Sequence, residues 1–397
     1  MKGKSILLGV SGGIAAYKAA ELVRLFVKAD ASVQVIMTAA ARELVAPLTF
    51  QVLSGQPVCT DLFDLRMESE IGHIHAARAA HLAVVAPATA NVLAKMAAGI
   101  ADDYLTTTLL AADCPVLVCP AMNTRMYQHP ATRRNLEVLR ERGCHVVEPG
   151  TGELACKEEG PGRLADLPVI VETARRLLTP PTLRGRRVLV SAGPTWEAFD
   201  PVRFITNPSS GKMGYALAAR AALRSAEVHL VSGPCALAVP LGVTRHSVVG
   251  ALDMERVVGE LAPSMDAVLM AAAVGDYRPA EAASQKIKKG EEDLRVTLVR
   301  NPDILAGLGR DKAEGQVLVG FAAETENLLE NARQKLARKN LDFIVANDLC
   351  EEGAGFACDT NRVKILEKRG GVEEWPCLGK EEVADRILDR VERLLRT

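Results

Sequence analysis

The sequence predicts an α/β protein made of two doubly wound, Rossmann-like domains in tandem. Three observations carry this. Short apolar runs without polar alternation are separated by stretches of helical periodicity, the opening run of the first half ends in glycine-rich sequence, and a proline-rich interruption at mid-chain stops the pattern before it restarts. Uninterrupted apolar strands between helices are what a parallel sheet covered on both faces requires. A length of 397 residues allows two or three domains at about 150 residues each.

Taken in order, residues 5–10 form an apolar burst ending in glycines and 14–28 carry apolar residues at helical spacing, giving strand, turn and helix. Strands are expected at 33–37, 82–86 and 116–119, and helices near 91–98, 105–112 and 131–142. At Thr179-Pro180-Pro181-Thr182-Leu183-Arg184-Gly185 two prolines and a glycine punctuate a polar stretch, which places domains at 1–181 and 185–397. The pattern resumes with a strand at 188–191, a helix at 209–225 and a strand at 228–232. Later strands are expected at 267–273, 317–321, 343–346 and 363–366, with helices near 327–338 and 380–395.

Charge and composition exclude several classes. Lys plus Arg number 48 against 49 Asp plus Glu, so a net charge of -1 offers no electrostatic footprint for nucleic acid or an anionic membrane surface. No apolar run reaches the ~18 residues of a membrane span. The opening apolar run breaks at glycines without a small-residue cleavage site, and the nine cysteines form no C-x-x-C pair. A cytoplasmic location is expected, with neither nucleic acid nor membrane as partner.

In the first half, Gly9-Val10-Ser11-Gly12-Gly13 follows a strand and opens a helix, placing backbone N–H groups and a hydroxyl where a phosphate can dock. It lacks the G-x-G-x-x-G pattern, and the second strand ends in Met37-Thr38 rather than an acidic residue, which disfavours a dinucleotide. Thr89 and Asn91 in one segment, and Asn123 in another, stand at the carboxyl ends of strands, where open α/β sheets bind ligands. Taken alone, His73, His75 and His81 read as structural or surface histidines, and Cys156 as a small buried apolar residue like Cys114, Cys119 and Cys144. The glycines flanking Cys156 point instead to a loop.

In the second half, Asn207-Pro208-Ser209-Ser210-Gly211-Lys212 opens the long helix and reads equally as an anion cradle or as a helix start capped by Ser209 or Ser210. It is not a Walker A loop, because Met213 follows Lys212 and position 206 is Thr. Asp276 follows a strand, and Lys286, Lys288 and Lys289 cluster beyond it, as a solvated face or as a triphosphate site whose magnesium a carboxylate approaches. Lys335 and Lys339, four apart, share a helical face.

Together, GVSGGIAAYK, GHIH, APATAN, GIADD, PAMNTRMY and AC-x4-GPGRL resemble the flavin-dependent phosphopantothenoylcysteine decarboxylases, homo-oligomeric flavin-containing cysteine decarboxylases, across nearly all of residues 1–179. The second half resembles the phosphopantothenate-cysteine ligase domain across 185–397, and the whole chain is similar to the bifunctional enzymes of coenzyme A biosynthesis. The resemblance implies FMN held by Ser11, Gly12, Gly13, Thr38, Thr89 and Asn91. It makes His73 the active-site histidine, Asn123 a ligand of the substrate carboxylate and Cys156 the acid that reprotonates the product. FMN is a hydride sink that allows carbon dioxide to leave, and a thiol is a tunable acid.

For the second half the resemblance implies 4'-phosphopantothenate, L-cysteine and CTP as substrates. It assigns nucleotide contacts to Asp276, Lys286, Asn301, Pro302, Asp303, Ile304, Phe321, Lys335 and Lys339, with Mg2+ or Mn2+ near Asp276. Asn207 handles the acyl-cytidylate, its amide supporting charge on the carbonyl oxygen. Trimeric flavin domains with a shared site, dimeric ligase domains and a resulting dodecamer follow from the same resemblance. Tyr127 stands where these decarboxylases often carry Trp. A flavoprotein acting on another thiol and a non-catalytic FMN-binding module are the alternatives.

Overall fold

The structure, a computed structural model, describes residues 1–62, 72–153, 158–289, 293–324, 328–348, 358–368 and 370–396. The chain divides into two compact units, Met1–Pro180 and Pro181–Thr397.

The first unit runs β1 (Ser5–Val10), α1 (Ala16–Lys28), β2 (Ser32–Met37), α2 (Ala39–Arg42), α3 (Pro47–Ser54), α4 (Gly72–Ala79), β3 (Leu82–Ala88), α5 (Ala90–Ala98), α6 (Tyr104–Leu110), β4 (Val116–Pro120), α7 (Thr124–Gln128), α8 (Pro130–Glu141), β5 (His145–Val146), β6 (Gly150–Glu153), β7 (Glu159–Arg163) and α9 (Leu167–Leu178). Strands β1 to β5 form one parallel sheet in the order β2-β1-β3-β4-β5. Every residue of β3 is buried, as its unbroken apolar sequence requires. One face packs Leu8 and Val84 against Phe26 and Phe50, and the other packs Leu7 and Val85 against Leu93 and Leu105. Helix α1 supplies Ala16, Ala19, Leu22, Val23 and Phe26 from a single stripe at spacings of three and four. The order reverses between β1 and β3, so the ligand crevice of such a sheet falls beyond their carboxyl ends.

The second unit runs β8 (Arg187–Ala192), β9 (Trp196–Ala198), β10 (Phe204–Thr206), α10 (Lys212–Leu223), β11 (Glu227–Ser232), β12 (Val243–Ser247), α11 (Ala251–Leu261), β13 (Ala267–Met270), β14 (Tyr277–Pro279), β15 (Leu298–Arg300), α12 (Ile304–Arg310), β16 (Val317–Glu324), α13 (Leu328–Arg338), β17 (Phe343–Asp348), β18 (Thr360–Asn361), β19 (Val363–Glu367), β20 (Val372–Glu374), β21 (Leu378–Gly379) and α14 (Lys380–Leu395). The main sheet has the order β12-β11-β8-β13-β16-β17-β19-β20. Its first six members are parallel and follow the Rossmann order, reversing between β8 and β13.

Two sequence expectations are corrected here. The strand near 363–366 pairs antiparallel with β17, and β20 continues that antiparallel edge, so the sheet is mixed. The long helix begins at Lys212 rather than 209. Its cap is Gly211 at φ 77°, a left-handed conformation that suits glycine, and neither Ser209 nor Ser210 caps it. Helix α10 packs on α14, where Arg224 meets Asp385, Asp389 and Glu392 at 2.7–3.0 Å.

Candidate functional site

In the first unit a cavity of about 1150 Å³ opens at the β1/β3 reversal. Gly12, Gly13, Thr38, Thr89, Asn91 and Asn123 all line it. Helix α1 begins here without a side-chain cap, the N–H groups of Gly13, Ala16 and Lys18 bonding the carbonyls of Ser11, Gly13 and Ala15 at 2.8–3.0 Å within the turn. The Thr38 hydroxyl accepts the Ala41 N–H at 3.3 Å and so keeps its own proton to donate. Ser11 is different. Its hydroxyl is fully buried, donates to the Pro87 carbonyl at 2.7 Å and accepts the Thr89 N–H at 3.0 Å. Its one proton is used in joining the β1 and β3 turns, so it shapes the cradle instead of facing a phosphate.

Asn123 caps α7 by accepting the Arg125 N–H at 2.8 Å, while its amide donates to Glu158 at 2.7 Å. The short helix it opens lies against the β6–β7 hairpin. Met122 N–H donates to the Gly162 carbonyl at 2.9 Å, and a Cβ at Gly162, where φ is 145°, would lie 2.2 Å from the Met122 oxygen. Tyr127 donates to Glu148 at 2.5 Å, and Glu148 also pairs with Arg140. Burial first, and then the Glu148 carboxylate, pushes the Tyr127 phenol up to about 12. Cys156 lies outside the described residues. In the sequence it falls between β6 and β7, whose Glu153, Gly162 and Arg163 line the same cavity.

His73 is not among the lining residues. It sits on α4 edge-on to Tyr104, with ring centroids 6.3 Å apart, and its Nδ1 is buried with no hydrogen-bond partner among the described residues. Sequence reasoning missed Lys18, Lys95 and Arg163 in the lining. Lys95 is held by Asp102 and Asp103 at 2.6 and 3.2 Å.

In the second unit the loops after β8 and β13 meet at the reversal point. Asn207 donates its amide to the carbonyls of Ala273 and Val274 at 3.1 and 3.3 Å. Those hydrogen bonds hold the two loops together. Asn301 is likewise structural, donating to the Gly275 carbonyl at 2.8 Å through its side chain and to the Asp276 carbonyl at 2.8 Å through its backbone. Asp303 caps α12 through Ala306 N–H at 3.1 Å and pairs with Lys339 at 2.8 Å. Burial pushes the Asp303 carboxyl up, but Lys339 and the Ala306 N–H bring it below its ordinary value. Asp276 and Lys286 are exposed, Phe321 and Lys335 are half-buried, and Ile304 is buried beside half-buried Pro302. Among the described residues no three His, Cys, Asp or Glu side chains converge as a metal site.

Both halves match known families. Residues 1–179 match the Flavoprotein family, and residues 183–395 match the DNA/pantothenate metabolism flavoprotein C-terminal domain. The chain is 46% identical over 397 residues to the coenzyme A biosynthesis bifunctional protein CoaBC of Vibrio parahaemolyticus, covering 100% of this chain and 99% of the relative. The chain belongs to the CoaBC family. The Bacillus subtilis member is 49% identical over 398 residues, covering 99% of this chain and 98% of that protein. A crystal structure of the C-terminal domain of a CoaBC protein is 45% identical and covers 54% of this chain and 98% of its own, with a TM-score of 0.47.

Proposed function

We propose that this chain catalyses two consecutive steps of coenzyme A biosynthesis. Residues 185–397 join 4'-phosphopantothenate to cysteine at the expense of CTP through an acyl-cytidylate, and residues 1–181 decarboxylate the product to 4'-phosphopantetheine with FMN. The observation that carries this is family membership across the full length, with both family halves present in one chain.

The first cavity suits FMN. Its volume exceeds the ~300–1,000 Å³ of ordinary ligand pockets, leaving room for cofactor and substrate together. Gly12 and Gly13 let a phosphate approach the backbone at the start of α1, and Thr38 and Thr89 supply hydroxyls beside it. When bound, FMN supplies the hydride acceptor that makes loss of carbon dioxide possible. Asn123 releases Glu158 and takes the substrate carboxylate in its place. Cys156, which lies in the sequence between the two strands whose residues border the cavity, delivers the final proton. The trimer expected of this family supplies His73 from a neighbouring subunit, in keeping with its position off the lining in its own chain.

In the second unit Lys286, Lys335 and Lys339 meet the triphosphate. Asp276 would offer a divalent cation one carboxylate, and the cation would supply charge neutralisation at the triphosphate. Asn207 acts through its Oδ1 and the loops it joins. The enzyme is cytoplasmic, and no helix among the described residues is long and apolar enough to cross a membrane.

Cys156→Ser tests the decarboxylase assignment in a single turnover with phosphopantothenoylcysteine. It replaces a thiol of ordinary pKa ~8.5 by a hydroxyl far too weak to protonate carbon. The variant is expected to release carbon dioxide, keep the flavin absorbance bleached and form no 4'-phosphopantetheine, whereas His73→Asn releases no carbon dioxide. Full product from Cys156→Ser would remove Cys156 from the mechanism.

A further inference from the structure

We propose that Asp200, acting with Arg203, is the positioning residue that fixes Lys286 for the nucleotide, an inference that rests on Lys286 being a triphosphate ligand. The segment 281–289 forms neither helix nor strand, so whatever orients Lys286 must come from elsewhere. Three hydrogen bonds tie the segment to the loop between β9 and β10. Ala283 N–H donates to the Phe199 carbonyl at 3.0 Å, Ile287 N–H donates to Asp200 Oδ2 at 3.2 Å, and Arg203 Nη2 donates to the Ile287 carbonyl at 2.9 Å. Lys286 is thus flanked by two anchored residues, and the one after it is gripped through both its N–H and its C=O.

The grip is itself rigid. Asp200 has no exposed side-chain surface. Its Oδ1 accepts the N–H groups of Val202 and Arg203 at 2.8 and 2.7 Å, and its Oδ2 accepts Arg203 Nε and Nη2 at 2.9 and 2.6 Å. The planar guanidinium meets the carboxylate through two nitrogens while one of them also reaches the carbonyl, a fixed fork that the single nitrogen of a lysine does not offer. Burial pushes the Asp200 carboxyl up, but the guanidinium and three backbone N–H groups bring it well below the usual carboxylate range, so it is charged wherever the enzyme works. A buried ion pair is weak evidence of a stabilising role, whereas a two-sided hold on one peptide unit beside an exposed lysine is a device for direction. The same loop leads through β10 to Asn207, so the acyl-transfer and triphosphate ends of the site share one support.

The test is a double-mutant cycle on the full-length chain, reading CMP release against CTP and against cysteine. Asp200→Asn is expected to raise KM for CTP roughly tenfold, as loss of a charge-assisted contact does, with KM for cysteine within about twofold. Lys286→Ala is expected to raise KM for CTP comparably, and adding Asp200→Asn to it should cost less than about twofold more, because the clamp then has nothing to aim. An unchanged KM for CTP in Asp200→Asn, or a full second loss in the double variant, overturns the inference while leaving Lys286 in the site. An unchanged KM for CTP in Lys286→Ala overturns the nucleotide-site reading and the inference with it. Should Asp200→Asn not fold, Arg203→Lys, which keeps the charge but not the fork, is expected to show the same pattern, and its absence there counts equally against the clamp.

Discussion

Replacing Gly12 by Ala probes the cradle at the point where backbone meets backbone. A Cβ there would lie 2.3 Å from Ala40 Cβ and 2.7 and 2.9 Å from the Ala40 carbonyl carbon and oxygen. Ala40 belongs to α2, whose cap Thr38 lines the cavity, so relief of the clash moves a lining residue. Overpacking of this kind costs about 1–3 kcal/mol. If the loss falls on the cofactor site, FMN affinity drops about 5- to 150-fold. If it falls on the apo fold, the melting temperature of a unit this size drops about 2–12 °C. Gly13→Ala is the control, because its Cβ would meet only the Thr89 methyl at 3.2 Å and the Ala121 oxygen at 3.8 Å. Apo protein titrated with FMN by fluorescence quenching, together with a thermal melt, gives both quantities. Gly12→Ala must weaken at least one, and Gly13→Ala must melt close to the parent. A Gly12→Ala protein with parental affinity and melting temperature refutes the packing argument.

Asn207→Asp places a carboxylate against the Ala273 and Val274 carbonyls in place of a donating amide. Losing those bonds to a half-buried repulsion is expected to cost about 1–3 kcal/mol, and CMP release should slow by about 5- to 150-fold while pyrophosphate release on first mixing persists; normal CMP release would contradict it. Tyr127 has a pKa raised to about 12 against an ordinary ~10, so its neutral form is favoured by folding. The stabilisation is whole below pH ~10 and is lost as pH rises through about 12. In Glu148→Gln the onset of phenolate absorbance at Tyr127, read as the difference from the matching Tyr127→Phe protein, should move part of the way back toward 10. No movement would mean that burial alone holds the phenol neutral.

Much of the frame was legible because parallel strands are buried on both faces and so appear as bare apolar runs, β3 being the clearest. Helix α9 was missed because Pro168 reads as a breaker, although at the start of a helix it costs nothing. Strand β12, with Thr, Arg, His and Ser, lacks the apolar run of a central strand because it is an edge. The antiparallel turn of β19 was hidden because strand direction depends on the connection and not on the strand's own residues. Among site residues, the glycines and threonines of the cradle were readable from their place after strands. The use of Ser11 and Asn207 was not, since their partners are carbonyls 76 and 66–67 residues away. Asp200 gives no sequence signal, being a single acid in a loop whose importance lies in a contact with residue 287.

The most direct test supplies the wild-type chain with 4'-phosphopantothenate, cysteine, CTP and magnesium and measures CMP, pyrophosphate and carbon dioxide in the same reaction. Two active halves in sequence predict that carbon dioxide appears after a lag, depends on CTP, and reaches the same yield as CMP and pyrophosphate, with 4'-phosphopantetheine as the product. CMP and pyrophosphate without carbon dioxide, from protein carrying its full complement of FMN, would contradict the claim that the first half is a decarboxylase.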